Sequence, residues 1–275
     1  SDTLHPLEYN ADESGEGFLS VDFVASKNNF VQGVVDLVVL NQLIRNGGLE
    51  GLIENTTVNG MDPMFDTTKV GILGTSLGGI FSTDLLAIDP EINVGVLAVP
   101  PGKLTYYLTE ESGIGDSVLA PLSLLGIEKM TFQFDSLMAI VQWVADVIDP
   151  ANFAAHAVEG NTLEVLGYDP IMDAFEGSGD EVDPAQALVI MALDDEVAPN
   201  ISTRQLATIL GLDLSISTYE GRHGFMNTQD TADDNYKPAL CARRQAAFFL
   251  RASLDGDDAT IPSELEADTC VSNLN

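Results

Sequence analysis

Lys69–Ile80 reads KVGILGTSLGGI, a short apolar run followed by glycines set around a single serine. Gly74-Thr75-Ser76-Leu77-Gly78 matches G-x-S-x-G, the pattern of a serine held on a strained strand-to-helix turn. Small residues are needed because bulky neighbours would collide across so tight a bend. The turn lifts the hydroxyl to the sheet edge and aims the next helix's N-terminus at the reaction centre, making the Leu77 N–H a natural oxyanion donor. A bare G-x-S-x-G also arises by chance in glycine-rich bends, so its setting decides its meaning. Here KVGIL reads as a buried strand and IFSTDLLAI as a helix ended by Asp89-Pro90.

Outward from this stretch the same alternation recurs. INVGVLAV (92–99), stopped by Pro100-Pro101, reads as a second strand, ALVIMAL (187–193) as a third and LSISTY (214–219) as a fourth. FVQGVVDLVVLNQLI (30–44) is apolar nearly all round and too long for an ordinary strand, which predicts a buried helix stopped at Asn46-Gly47-Gly48. Residues 202–210 predict a helix ended by Gly211, and 238–254 a closing helix with proline near its start. Uniformly apolar strands alternating with helices indicate an α/β fold with a parallel sheet covered on both faces.

Residues 1–29 read as loop, with room for at most one strand, FLSVDF (18–23). Between the second and third strands lie roughly 85 residues with no strand-like period, too many for plain loop. They predict a helical insertion, 101–185, placed over the strand ends where ligands bind in open α/β sheets. Residues 1–100 and 186–275 would then form the core. The insertion includes LAPLSLLGI (119–127) and the helix candidate DSLMAIVQWVADVI (135–148), whose Met138, Ile140, Val141 and Trp143 are expected in its core.

A serine hydroxyl needs a base, and the base an orienting acid. Three histidines exist. His5 falls in the N-terminal loop and His156 in the insertion, while His223 follows the fourth strand in TYEGRHGFM. His223 is therefore taken as the general base, and the other two as structural or surface residues. The acid should lie between nucleophile and base in the chain. LDDEVAPN after the third strand offers Asp194, Asp195 and Glu196; Asp195, in D-x-V-x-P, is the choice and Asp194 the runner-up.

Apolar residues make up 45% of the 275 and charged ones 20%, enough for a sizeable core. Eleven Lys and Arg stand against 43 Asp and Glu, a formal net charge of −32 with no basic patch, which excludes nucleic acid as a partner. Anionic membrane surfaces are disfavoured for the same reason. The acidity suits solubility in a saline or extracellular setting. No cofactor is expected. Oxygen-rich loops at 59–66 and 255–258 could hold Ca²⁺, though neither has EF-hand spacing. The two cysteines, Cys241 and Cys270, would staple the C-terminal tail to the closing helix if paired; two free thiols is the other reading.

GTSLGG, LDDEVAPN and GRHGF together resemble the α/β-hydrolase family. NNFVQGVVDLVVLNQL, the acidic loop before KVGILGTSLGG, VIDPANFAAHA and ARRQAAFFLRAS further resemble bacterial virulence-factor-type extracellular lipases, over about residues 1–253. The resemblance implies an α/β-hydrolase core with a helical cap and a triad of Ser76, Asp195 and His223. It implies a serine esterase or lipase acting on an apolar acyl ester, from an extracellular or periplasmic bacterial setting. Such lipases carry His before the nucleophile where this chain has Thr75. Their fold also has about four strands ahead of the helix at 30–44, and a second oxyanion donor after the third. Those strands are expected from a second polypeptide. An acyltransferase of the same fold and a non-catalytic binding module are the alternatives.

Overall fold

Four apolar runs become the four strands of one sheet, and the helices between them supply its cover. The computed structural model describes residues 18, 23–53, 56–57, 60–110, 115, 122–159, 184–212 and 215–257. In chain order these form α1 (Phe23–Arg45), α2 (Glu50–Ile53), β1 (Ile72–Thr75), α3 (Leu77–Ile88), β2 (Val94–Ala98) and α4 (Tyr106–Thr109). Then follow α5 (Phe132–Ala145), α6 (Pro150–Glu159), β3 (Gln186–Ala192), α7 (Asn200–Ile209), β4 (Ser217–Tyr219) and α8 (Tyr236–Asp255).

The strands pair in sequence order, β1-β2-β3-β4, and every pairing is parallel. Period-two alternation splits their side chains between two cores. Val94, Val96, Ala98, Leu188, Ile190 and Ala192 face α8, where Ala242, Ala246 and Phe249 close over them. Leu97 and Val189 face the other way, against Leu85 and Leu86 of α3, Ala154 and Ala157 of α6, and Leu206 of α7. A parallel sheet with helices on both faces and a serine turn after its first described strand is the α/β-hydrolase fold, from the nucleophile strand onward.

The helix ends follow their glycines. Gly47 (φ 73) and Gly211 (φ 71) take the left-handed conformation just past α1 and α7. Gly48 N–H then reaches Leu43 O at 2.8 Å and Leu212 N–H reaches Ala207 O at 2.7 Å, so both ends close as Schellman motifs.

One expectation is corrected, and another falls mostly outside the described residues. Of 18–23, where at most one strand was expected, Phe18 sits in a bend, residues 19–22 lie outside the described residues, and Phe23 already belongs to α1. Phe18 instead packs its ring on Phe30 and Phe81, at centroid distances of 5.2 and 6.1 Å. In the insertion, Met138 and Val141 are buried with Phe134 as expected, but Ile140 and Trp143 are exposed. The reason is helical geometry: 134, 138 and 141 share the inward face of α5, and 140 and 143 lie on the opposite one.

Among the described residues β1 pairs only with β2, so its other edge is open. Ser76 N–H donates to Ala98 O of β2 at 2.9 Å, so by alternation the amides and carbonyls of Leu73 and Thr75 point away from the sheet. Leu73, in register with Val96, shares its face toward α8 yet is 45% exposed. On the other face α1 buries Phe30 and Val34 while Val31, Val35, Val39 and Leu43, four residues apart, face solvent. Among the described residues no helix is long and apolar enough to cross a membrane.

Candidate active site

The serine turn is built by steric necessity. Ser76 adopts φ 56, ψ −116, a conformation that side-chain-bearing residues rarely take. Its carbonyl accepts from Gly79 N–H at 2.7 Å, starting α3 directly behind it. A Cβ at Gly74 would collide with the Gly78 carbonyl and Ser82 Oγ, and one at Gly79 would meet Pro100 at 2.8 Å. Gly78, the other glycine singled out by the motif, has open space around its missing Cβ. Gly79 is thus the second sterically required glycine, and only the approach of Pro100 reveals it.

Strand ends deliver the remaining groups. Asp195 follows β3 and His223 follows β4, and the two loops are tied by Leu193 N–H to Tyr219 O (2.9 Å) and Asp194 N–H to Gly221 O (3.1 Å). Helix α8 fixes the surroundings of His223. Gln245 accepts from the buried Tyr219 hydroxyl at 2.6 Å, and Arg243 Nη1 donates to the Met226 and Thr228 carbonyls just beyond His223.

The structure brings Ser76, His223 and Asp195 together. Ser76 Oγ lies 2.6 Å from His223 Nε2, and His223 Nδ1 lies 2.8 Å from both Asp195 oxygens. The Asp195 side chain is 1% exposed and that of His223 13%. Asp195 Oδ1 also accepts from Val197 and Ala198 N–H groups at 3.0 and 2.8 Å, which holds the carboxylate in place against the ring. Asp194, the runner-up, is exposed and contributes its backbone instead. Glu196, the third acid of that stretch, accepts from the His223 N–H at 3.2 Å and helps hold its loop. Leu77 opens α3, so its N–H belongs to the first turn, which has no acceptor within the helix. Thr75 is half-buried in register with Ala98.

Two insertion residues escaped sequence reading for want of any motif. Tyr107 in α4 lies close enough to Asp195 that the carboxylate, after burial itself, pushes its phenol up. Asp149, 1% exposed, accepts from the Lys103 and Leu104 N–H groups at 2.8 and 2.7 Å and from Gln142 Nε2 at 3.0 Å. Gln142 accepts in turn from Thr105 Oγ1 at 2.6 Å. This network fastens α5 and α6 to the segment leaving β2, beside the serine turn.

His156 lies on α6, half-buried, and His5 lies outside the described residues. Among the described residues no group of three or more His, Cys, Asp or Glu side chains is placed to hold a metal. Asp66 accepts from Thr68, and Asp255 pairs with Lys69 at 2.6 Å. A polar cavity of about 710 Å³ opens beside Asp194, lined by Glu220, Arg222, Asp233 and Asp234, and includes neither Ser76 nor His223. Cys241, buried in α8, is disulfide-bonded; its expected partner Cys270 lies outside the described residues.

No family model and no curated protein matches the chain. Solved structures show a distant likeness in shape. A puromycin hydrolase aligns at 14% identity and a TM-score of 0.48, covering 83% of this chain and 26% of that one. A Mycobacterium tuberculosis puromycin-hydrolyzing peptidase aligns at 14% identity and 0.46, covering 82% and 25%. An alpha/beta fold family hydrolase from Bacillus anthracis str. Sterne aligns at 11% and 0.30, covering 57% and 62%. The chain thus spans about a quarter of the length of the first two. At these identities and TM-scores the likeness assigns neither activity nor substrate.

Proposed function

We propose that this chain is a serine carboxylic-ester hydrolase, an esterase or lipase acting through an acyl-enzyme. The observation that carries the reading is the unbroken relay from Ser76 Oγ through His223 to a buried Asp195, with contacts of 2.6 and 2.8 Å. Ser76 Oγ attacks the acyl carbonyl carbon while His223 Nε2 takes its proton. Asp195, hydrogen-bonded to Nδ1–H, keeps the proton-accepting nitrogen toward serine and stabilises the imidazolium. The Leu77 N–H donates to the oxyanion. Collapse of the tetrahedral intermediate breaks the ester C–O bond, and His223 returns the proton to the departing alcohol. Water, activated by the same histidine, then releases the acid and regenerates Ser76.

An apolar acyl group fits the insertion better than a peptide does, since the helices near the site carry large apolar side chains. The disulfide at Cys241 supports an oxidising, extracellular or periplasmic setting. A single oxyanion donor is half of what acyl transfer uses. The open edge of β1 and the apolar stripe of α1 support a second polypeptide that adds strands there. A parallel strand beside β1 would end next to Ser76, where its following loop could bring the second donor. Full ester turnover by this chain alone, as a monodisperse species, would refute that part.

The test of the main reading is covalent. A fluorophosphonate probe should label Ser76, and Ser76→Ala should abolish both labelling and p-nitrophenyl ester turnover without changing the melting temperature. An unlabelled Ser76 in a folded protein would identify a non-catalytic module. Faster product formation with an added alcohol than with water would identify an acyltransferase.

A further inference from the structure

Helix α5 is apolar on two opposite faces, and only one of them is spent on the fold. Phe134, Met138 and Val141 are buried with Leu108. Phe132, Ile140, Trp143 and Val147 lie along the other side, at spacings that keep them on one face, and are 50–83% exposed. The turn ahead of the helix adds Leu124, Leu125 and Met130, 76–92% exposed. Met130 also holds φ 63, where glycine or asparagine would be relaxed, so neither burial nor backbone geometry explains a long apolar residue there. A patch of this kind marks an interaction surface.

The charges around it select the partner. Glu128, Asp135 and Asp146 border the patch and are exposed. The cation beside Met130, Lys129, is exposed but engaged, its ammonium donating to the Thr109 carbonyl at 3.2 Å. With a chain charge of −32, both an anionic bilayer and a second copy of the chain are repelled. Each of these side chains is separately exposed by half or more, which suits insertion into a fluid phase over seating against a rigid protein. An exposed tryptophan amid aliphatic residues matches the water–lipid boundary, where its ring is favoured.

We propose that the outer face of α5, with the 124–130 turn, docks the protein on a zwitterionic phospholipid surface. The docking stands on the patch itself; it rests on the ester-hydrolase reading only for its purpose, delivery of lipid esters to Ser76. The Gln142–Asp149 network couples the docked helix to the segment beside the nucleophile.

Trp143 is the chain's single tryptophan, so its emission reports directly on the patch. Phosphatidylcholine vesicles should shift the emission of the full chain to the blue. Increasing phosphatidylglycerol in the vesicles should progressively abolish the shift. Phe132→Ser and Ile140→Ser should each lower the vesicle partition coefficient about tenfold, as loss of a large inserted side chain implies, with an unchanged far-ultraviolet spectrum. Val35→Ser with Val39→Ser, on the exposed stripe of α1, should leave it unchanged. Ser76→Ala should bind as the parent does, so failure of the catalytic reading leaves this result intact. The proposal is overturned by no shift with phosphatidylcholine, by equal loss in the α1 variant, or by a shift that tracks protein concentration without vesicles.

Discussion

Replacing Asp195 with asparagine keeps the shape of the site and reverses one proton. Asp195 Oδ1 accepts two backbone N–H groups, at 3.0 and 2.8 Å, so only the amide oxygen of the asparagine can sit there. The –NH2 must then take the place of Oδ2, 2.8 Å from His223 Nδ1. The –NH2 opposes Nδ1–H, while the amide oxygen, kept 2.8 Å from the same nitrogen, still accepts from it. The balance therefore moves toward the tautomer with Nδ1 as acceptor and the imidazole proton on Nε2. That nitrogen lies 2.6 Å from Ser76 Oγ and, so protonated, cannot accept the hydroxyl proton. The imidazolium formed on attack would also lose its buried counter-charge. A tautomer inversion of this kind costs on the order of 10⁴ in turnover, or about 5 kcal/mol in the barrier. The assay is the second-order rate of fluorophosphonate labelling, with p-nitrophenyl ester hydrolysis wherever turnover is measurable, as a function of pH. Asp195→Asn should slow both by about 10³–10⁴, while its denaturation midpoint stays near the parent's because every backbone hydrogen bond is kept. A loss below tenfold would show that Asp195 does not set the tautomer. A similar loss from Asp194→Asn would refute the choice between the two acids.

Buried Asp84 gives a stability prediction. Burial raises its carboxyl well above the usual range, with Asp149 adding to the effect, and its Oδ1 has no hydrogen-bond partner among the described residues. The folded state therefore binds that proton more tightly than the unfolded one. Its contribution is full below the ordinary carboxylate pKa and is lost as pH rises through the raised value. Asp84→Asn should raise the melting temperature at pH 7–8 and flatten its fall from acid; an unchanged slope would contradict this. Gly74→Ala should destabilise by about 2 kcal/mol or more, because its Cβ meets backbone, whereas Gly78→Ala should stay within about 0.5 kcal/mol. Chemical denaturation of both variants checks the contrast, and equal costs would disprove the steric reading. Reducing the Cys241 disulfide with dithiothreitol should lower unfolding stability by about 2–4 kcal/mol, read from the same titration; no change would mean that it constrains nothing.

The serine turn and the order of the triad were legible because each rests on short-range signals. Four apolar runs mark the strands, and Ser76, Asp195 and His223 each follow one. Helix α1 was found but begun late, since its first turns, VASKNN, carry no apolar period. Helix α5 was found with its faces unresolved. Two apolar stripes on one helix have the same period, and only the packing of Leu108 against 134, 138 and 141 tells inside from outside. The same limit hid Gly79, Tyr107 and Asp149, whose roles come from residues far away in the chain.

The outward amides of Leu73 and Thr75 also bear on how the protein behaves in bulk. An unpaired strand is a template on which another strand can grow, and a sheet that ends in one is a step from polymerising. The chain carries no proline or lysine within β1 to blunt that edge, and relies instead on a distributed −32 charge. Such a guard acts at a distance and weakens with ionic strength, its reach contracting from about 10 Å at 0.1 M salt to about 3 Å at 1 M. Colloidal stability here should therefore run opposite to ordinary salting-in: concentrated salt, or acid that neutralises the carboxylates, releases the edge to pair.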